Sequence, residues 1–214
     1  MRKAVKALVL AAGMSVAPAG IAALTFDLNY EFSGGATPSG SIMATFEDWA
    51  TDTVRLTVDL GGLSGTEFVS GFYFNYDPGT FPLSFTPVSG QAAASVSQCI
   101  GGTSCNAGAH KADGDGFFDL VLNFATSGSD QFAADELSVY DIVGSGLTQS
   151  RFNLGSVGGA KGAFHAAAHV QAIGPQGDSG WVGAVGAIPE PEAYALLLAG
   201  LGLLGFAARR RGAR

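Results

Sequence analysis

Apolar and polar residues alternate with a period of two along much of the middle of this chain. Leu24, Phe26, Leu28, Tyr30 and Phe32 are interleaved with Thr25, Asp27, Asn29 and Glu31, so an extended segment here has one apolar and one polar face. The period returns at Val54, Leu56, Val58 and Leu60, set against Thr53, Arg55, Thr57 and Asp59. A helix would scatter these residues around its circumference. Further strand-like runs cover 68–76, 117–124, 137–143, 163–173 and 181–187, each bounded by Gly, Ser, Asp or Pro. Short runs of this kind with brief turns predict an all-β body, an antiparallel β-sandwich or jelly-roll-like fold. Residues 34–40 and 84–108 lack a period and are rich in small residues, so they are expected to be loops or irregular edges. No internal repeat of fixed period is visible.

Composition agrees with this picture. The 214 residues include 32 Gly and are 47% hydrophobic but only 14% charged, which points away from a helix-rich cytosolic enzyme. Charge is segregated by region. Between Leu24 and Ile188 stand 4 basic residues against 16 acidic ones, a net charge of −12. A body this acidic argues against a nucleic-acid partner, because binding phosphates needs a basic face.

Both ends look like addresses. Arg2, Lys3 and Lys6 precede an apolar stretch from Ala7 to Val16 and then small residues, the three parts of a signal peptide removed by signal peptidase. Ala17-Pro18-Ala19 places the cut before Gly20, and Ile21-Ala22-Ala23 places it before Leu24, where the first strand pattern begins. The signal peptide is therefore assigned to 1–23 and the β-rich extracellular body to 24–187. At the other end Ile188-Pro189-Glu190-Pro191-Glu192 leads into an uncharged stretch from Ala193 to Ala208, then Arg209, Arg210 and Arg211. As one transmembrane helix, these 16 residues span roughly 24 Å at ~1.5 Å per residue. Arginine snorkelling and local thinning of the bilayer make up the shortfall. The arginines fix the orientation, with the body outside and the C-terminus in the cytoplasm.

Pro189-Glu190-Pro191, the Leu/Ala/Gly-rich span and the terminal arginines resemble, in that order, the PEP-CTERM sorting domain, here 188–214. The resemblance implies recognition by an exosortase, a membrane enzyme that cuts near Pro-Glu-Pro and passes the body to another anchor. It also implies a Gram-negative bacterium that makes exopolysaccharide. On this reading the protein is the substrate of that enzyme. It is exported, anchored in the membrane before processing, and then held at the cell surface or in the extracellular matrix.

Within the body, Cys99 and Cys105 form an even pair in an exported chain, and a disulfide between them is expected. Asp113-Gly114-Asp115-Gly116-Phe117-Phe118-Asp119 resembles the calcium loops of integrin-type propeller blades, which implies Asp113, Asp115 and Asp119 as calcium ligands. The family's first ligand position falls on Lys111, which cannot coordinate. The alternative is a glycine-rich turn whose aspartates satisfy backbone amides. Ala167-Ala168-His169 and Gly177-Asp178-Ser179-Gly180 resemble the histidine and serine motifs of the trypsin family, but they stand too close together in the chain for that fold. His165 and His169 lack the carboxylate between them that a zinc protease uses. No catalytic residue is assigned. Phe72, Tyr73, Phe74 and Tyr76 put aromatic rings on both faces of one strand, either as two packed faces or as core plus a stacking platform for sugar rings. The sequence thus predicts a non-enzymatic surface or matrix-associated protein, with a polysaccharide-binding module of lectin-like sandwich fold as the alternative.

Overall fold

In the computed structural model, residues 23–77, 83–99, 110–113, 115–188, 200–202, 204 and 209 are described. In chain order the strands begin with β1 (Ala23–Leu28), β2 (Tyr30–Glu31), β3 (Ile42–Ala50), β4 (Thr53–Asp59) and β5 (Phe68–Phe74). They continue with β6 (Ser84–Gly90), β7 (Ser95–Gln98), β8 (Lys111–Ala112), β9 (Asp115–Phe117) and β10 (Leu120–Asn123). The last are β11 (Phe132–Ala133), β12 (Leu137–Val143), β13 (Ala166–Ile173), β14 (Asp178–Ala184) and β15 (Ala187–Ile188). A 3-10 turn at Gln149–Phe152 lies between β12 and β13.

These strands make two large antiparallel sheets. The first runs β15-β1-β3-β4-β12-β6 and the second β2-β14-β13-β5-β10-β7, with β11 added to β5. β8 and β9 form a separate hairpin. The alternating residues do what their period dictates: Phe26, Ile42, Phe46, Leu56 and Ile142 of the first sheet share one core with Phe72, Phe74, Leu122, Val170 and Val182 of the second. Phe46 meets Phe74 with ring centroids 5.5 Å apart and stacks on Phe152 at 4.5 Å. The 3-10 turn thereby plugs the space between the sheets.

The antiparallel all-β body agrees with the sequence pattern, and four local expectations need correction. First, the alternation from Leu24 to Phe32 is not one strand. The chain leaves the first sheet after Leu28, and Tyr30–Glu31 pairs with β14 in the second. Second, Ile42–Ala50 is a nine-residue strand with no counterpart among the expected runs. Third, the stretch expected to be irregular from 84 contains β6 and β7, each of which forms one edge of a sheet. Fourth, 117–124 is divided between the β8–β9 hairpin and β10, and 181–187 between β14 and β15. Among the described residues no helix is long and apolar enough to cross a membrane. Most of the expected span, 193–208, lies outside the described residues, as does the expected signal peptide apart from Ala23.

Candidate functional site

The residues that alternate away from the core have two different fates. On the second sheet, Tyr73 of β5, Ala167 and His169 of β13 and Trp181 of β14 point outward. A second apolar cluster covers this face, built from Phe32, Ala112, Phe118, Phe164 and Ala167 with Tyr73 and Trp181 against it. Phe164 stacks on Phe32 at 4.4 Å. It lies so close over Gly183 that a Cβ there would sit 2.6 Å from its ring. The cover is tied down by polar bonds: the Phe117 amide donates to the Val157 carbonyl (2.8 Å), and the Phe164 amide to Ser156 Oγ (3.0 Å).

Of the sequence candidates, Asp113 and His169 belong to this covered face. Asp113 lies in the β8–β9 turn at φ 51°, and its carboxylate is paired with Lys161 Nζ at 3.2 Å. Asp119 turns elsewhere and accepts the Tyr76 amide (3.0 Å), while its own amide donates to Asn75 Oδ1 (3.2 Å). Burial raises the Asp119 pKa, and the Tyr76 hydrogen bond opposes that rise. Lys111 lies over the Phe117 ring at 4.6 Å. The Asp115 side chain is outside the described residues. Among the described residues no three His, Cys, Asp or Glu side chains converge for a metal ion. Cys99 is buried at the end of β7, where its amide donates to the Asp119 carbonyl (2.6 Å). Cys105, its expected partner, is outside the described residues.

The histidines face apart. His165 stacks on Phe26 at 5.5 Å, its buried Nδ1 without a hydrogen bond, and burial lowers its pKa. His169 stacks on Trp181 at 4.5 Å. Burial also lowers the His169 pKa, with the charge of Asp113 acting the other way. Its neighbour is not Ser179 but Ser70, whose Oγ is 2.9 Å from His169 Nδ1. Sequence reasoning missed this pair because a bulge in the β5–β13 register brings Ser70 alongside. With Trp181 over the ring and no carboxylate hydrogen-bonded to it among the described residues, the pair lacks the orienting third group of a nucleophile triad.

Among the described residues, the outward face of the first sheet has no such cover. Its centre is a cross-strand row: Glu47 of β3 stands opposite Arg55 of β4, and Arg55 opposite Asp141 of β12. Arg55 holds Asp141 with two hydrogen bonds, Nε to Oδ1 at 2.8 Å and Nη2 to Oδ2 at 3.0 Å. These bonds raise the Arg55 pKa. The same guanidinium lies 3.5 Å from the ring centroid of Trp49, which is 48% exposed. The indole is thus fixed in place by its cation partner while half of it stays in water. The same face carries a cross-strand row of threonines, Thr25, Thr45 and Thr57, and the exposed Leu137 and Val143. Trp49 and Arg55 flank the β3–β4 turn, whose Asp52 carboxylate accepts the Gly146 amide (2.7 Å). Recognising Ile42–Ala50 as a strand would have placed both residues on one face.

The sorting tail begins at the edge of this sheet. β15 pairs with β1, Ile188 opposite Thr25 and Ala187 opposite Phe26. Pro189, Glu190, Pro191, Arg210 and Arg211 lie outside the described residues, and Arg209 is helical. Comparison with curated proteins and with solved structures finds no match. The family model of the PEP-CTERM protein-sorting motif matches residues 187–211, so the C-terminal end of this chain carries that motif.

Proposed function

We propose that this protein is an exported, non-catalytic surface or matrix-associated protein of an exopolysaccharide-producing Gram-negative bacterium, handed to an exosortase by its C-terminal tail. The observation that carries this reading is the sorting motif at 187–211 joined directly to an antiparallel β body. The apolar stretch and arginines insert and orient the tail, while Pro-Glu-Pro at the outer interface is what the enzyme reads. Signal peptidase acts first at the other end. Membrane fractionation with mass analysis of the mature C-terminus tests the proposal. Loss of the tail in a strain with an active exosortase is the expected result, and retention to Arg214 would leave a plain anchor instead. Replacing Glu190 or both flanking prolines should block processing and leave insertion intact.

A second reading, polysaccharide binding, is favoured by Trp49 on its Arg55 support. An indole with one face held and the ring half exposed is a stacking surface for the C–H face of a sugar. Glu47 and Asp141 supply acceptors for hydroxyl groups, and a body of net charge −12 suits a neutral glycan better than an anionic one. Glycan arrays with the soluble body test it. Calcium at the β8–β9 turn remains a proposal from its aspartate spacing. A calcium-dependent rise in melting temperature, reversed by chelator, is the result that supports it.

A further inference from the structure

The matched motif starts inside the folded body. Ala187 and Ile188, its first two residues, are β15, an edge strand hydrogen-bonded to β1. Pro189 follows at once, with no spacer. Enzymes that act on a peptide backbone commonly take the residues flanking the scissile bond as an extended strand, through their backbone N–H and C=O groups. On the N-terminal side of Pro-Glu-Pro those groups belong to residues standing opposite Thr25 and Phe26, and one of the two turns its N–H and C=O to β1 while the other leaves them at the open edge. The inner row cannot serve the sheet and the enzyme together, and β1 fills the space on that side of the strand, so a cleft that encloses the backbone cannot receive β15 while it stays paired.

The pairing is also the kind that opens locally. β15 is two residues long, lies at the end of its sheet, and follows the exposed Val185 and the half-buried Gly186. Such an edge detaches without global unfolding. Ile188 is 42% exposed, and the side chain of β15 that packs on the core is only the small Ala187, so release of the strand uncovers little of it.

We infer that β15 is a latch on the sorting signal: the sorting enzyme engages the tail only when Ala187 and Ile188 peel away from β1. This inference rests on the sorting reading above and adds that the folded body sets the rate at which its own tail is processed. A folded body holds the two residues that precede Pro189 in its sheet, and the β1–β15 equilibrium limits access.

The experiment follows the full chain by pulse-chase in an exosortase-bearing strain, reading conversion of precursor to mature protein. A six-residue Gly-Ser insertion between Ile188 and Pro189 leaves β15 intact and gives the enzyme free backbone. It should speed processing roughly five- to thirtyfold, the weight of one or two net hydrogen bonds. Thr25→Cys with Ile188→Cys locks the strands, since directly opposed residues lie within disulfide reach. That variant should stall as precursor and resume when reduced. Hydrogen exchange on the purified precursor provides a readout independent of the enzyme, with the Ile188 amide protected in the wild type and in the insertion variant. Equal processing rates in all three proteins would overturn the latch while leaving the sorting reading standing, as would an unprotected β15. A wild-type precursor that is never processed would remove both.

Discussion

On the outer face of the second sheet, Phe164 lies over Gly183, the β8–β9 hairpin carries Phe118 to Tyr73, and Lys161 ties Asp113 to the Ser33 carbonyl. On the outer face of the first sheet, threonines and an Arg55–Asp141 pair meet solvent, and Trp49 stands half exposed. Both faces come from the same strand period, so the period does not decide which face is covered. The side chains between the inward positions do. Glycine at 71 and 183 and alanine at 167 leave a shallow surface on which rings can lie, whereas the charged and hydroxylated positions of the first sheet are already satisfied in water. An aromatic residue on the covered face is structural by virtue of its surroundings. The same residue type on the open face keeps half of its surface in water.

The largest break in this comparison should come from Phe164→Ala. Phe164 is 1% exposed and joins Phe32, Tyr30 and Gly183, so its truncation leaves a cavity between the sheet and its cover. A loss of about 3–5 kcal/mol is expected from urea unfolding. Gly183→Ala attacks the same contact from below. Its Cβ would sit 2.6 Å from Phe164, and overpacking of this kind costs about 1–3 kcal/mol. In the Phe164→Ala background that cost should vanish, because the clashing ring is gone. Additive losses would mean that Phe164 does not cover Gly183 in solution.

His169 sharpens the comparison through pH. Burial on the covered face lowers its pKa, whereas the unfolded chain keeps the ordinary value of about 6.5. The unfolded state therefore binds more protons once pH falls below that value. Stability is fully present above it and is lost as pH drops through the depressed folded pKa. His169→Gln, which keeps a partner for Ser70, should flatten the decline in melting temperature between neutral and mildly acidic pH. His165 contributes in the same sense, so a residual slope is expected. An unchanged slope would mean that the covered face is wet.

What the sequence made legible follows the same physics. β1, β4, β12 and β13 announce themselves because one side of each faces the shared core, and inward apolar residues recur at every second position. β6 and β7 were hidden because they are edge strands. β6 is largely exposed along its length and includes Pro87, which an edge tolerates because it need not donate on its outer side. β3 was obscured by Ala44 and by Met43 and Trp49 at outward positions, which blur a binary pattern. The break at Asn29 left no trace in the alternation, since a strand that changes sheets keeps its period. Of the open-face site, Arg55 and Asp141 were each visible on a predicted strand. Their adjacency depends on strand order, which no local pattern contains.

Trp49→Ala is the mildest change to the fold and the most direct test of the open face. Most of what the ring contributes to stability is its contact with the Arg55 guanidinium at 3.5 Å, since a residue 48% exposed has left little apolar area to lose. Arg55 keeps both hydrogen bonds to Asp141, so no charge is stranded by the truncation. The expected loss is about 0.5–1 kcal/mol by urea unfolding, the worth of an exposed cation–π pair. Glycan binding should behave in the opposite way and fall to background, because the flat surface for a sugar ring is gone while the neighbouring acceptors remain. Arg55→Lys separates the two effects further. It keeps a charge near the indole but gives up the paired hydrogen bonds to Asp141, so the ring should lose its fixed orientation and binding should weaken with little change in stability. If Trp49→Ala destabilises the body as much as Phe164→Ala is expected to, this face is structural after all. If it leaves glycan retention unchanged, whatever this protein holds is held elsewhere.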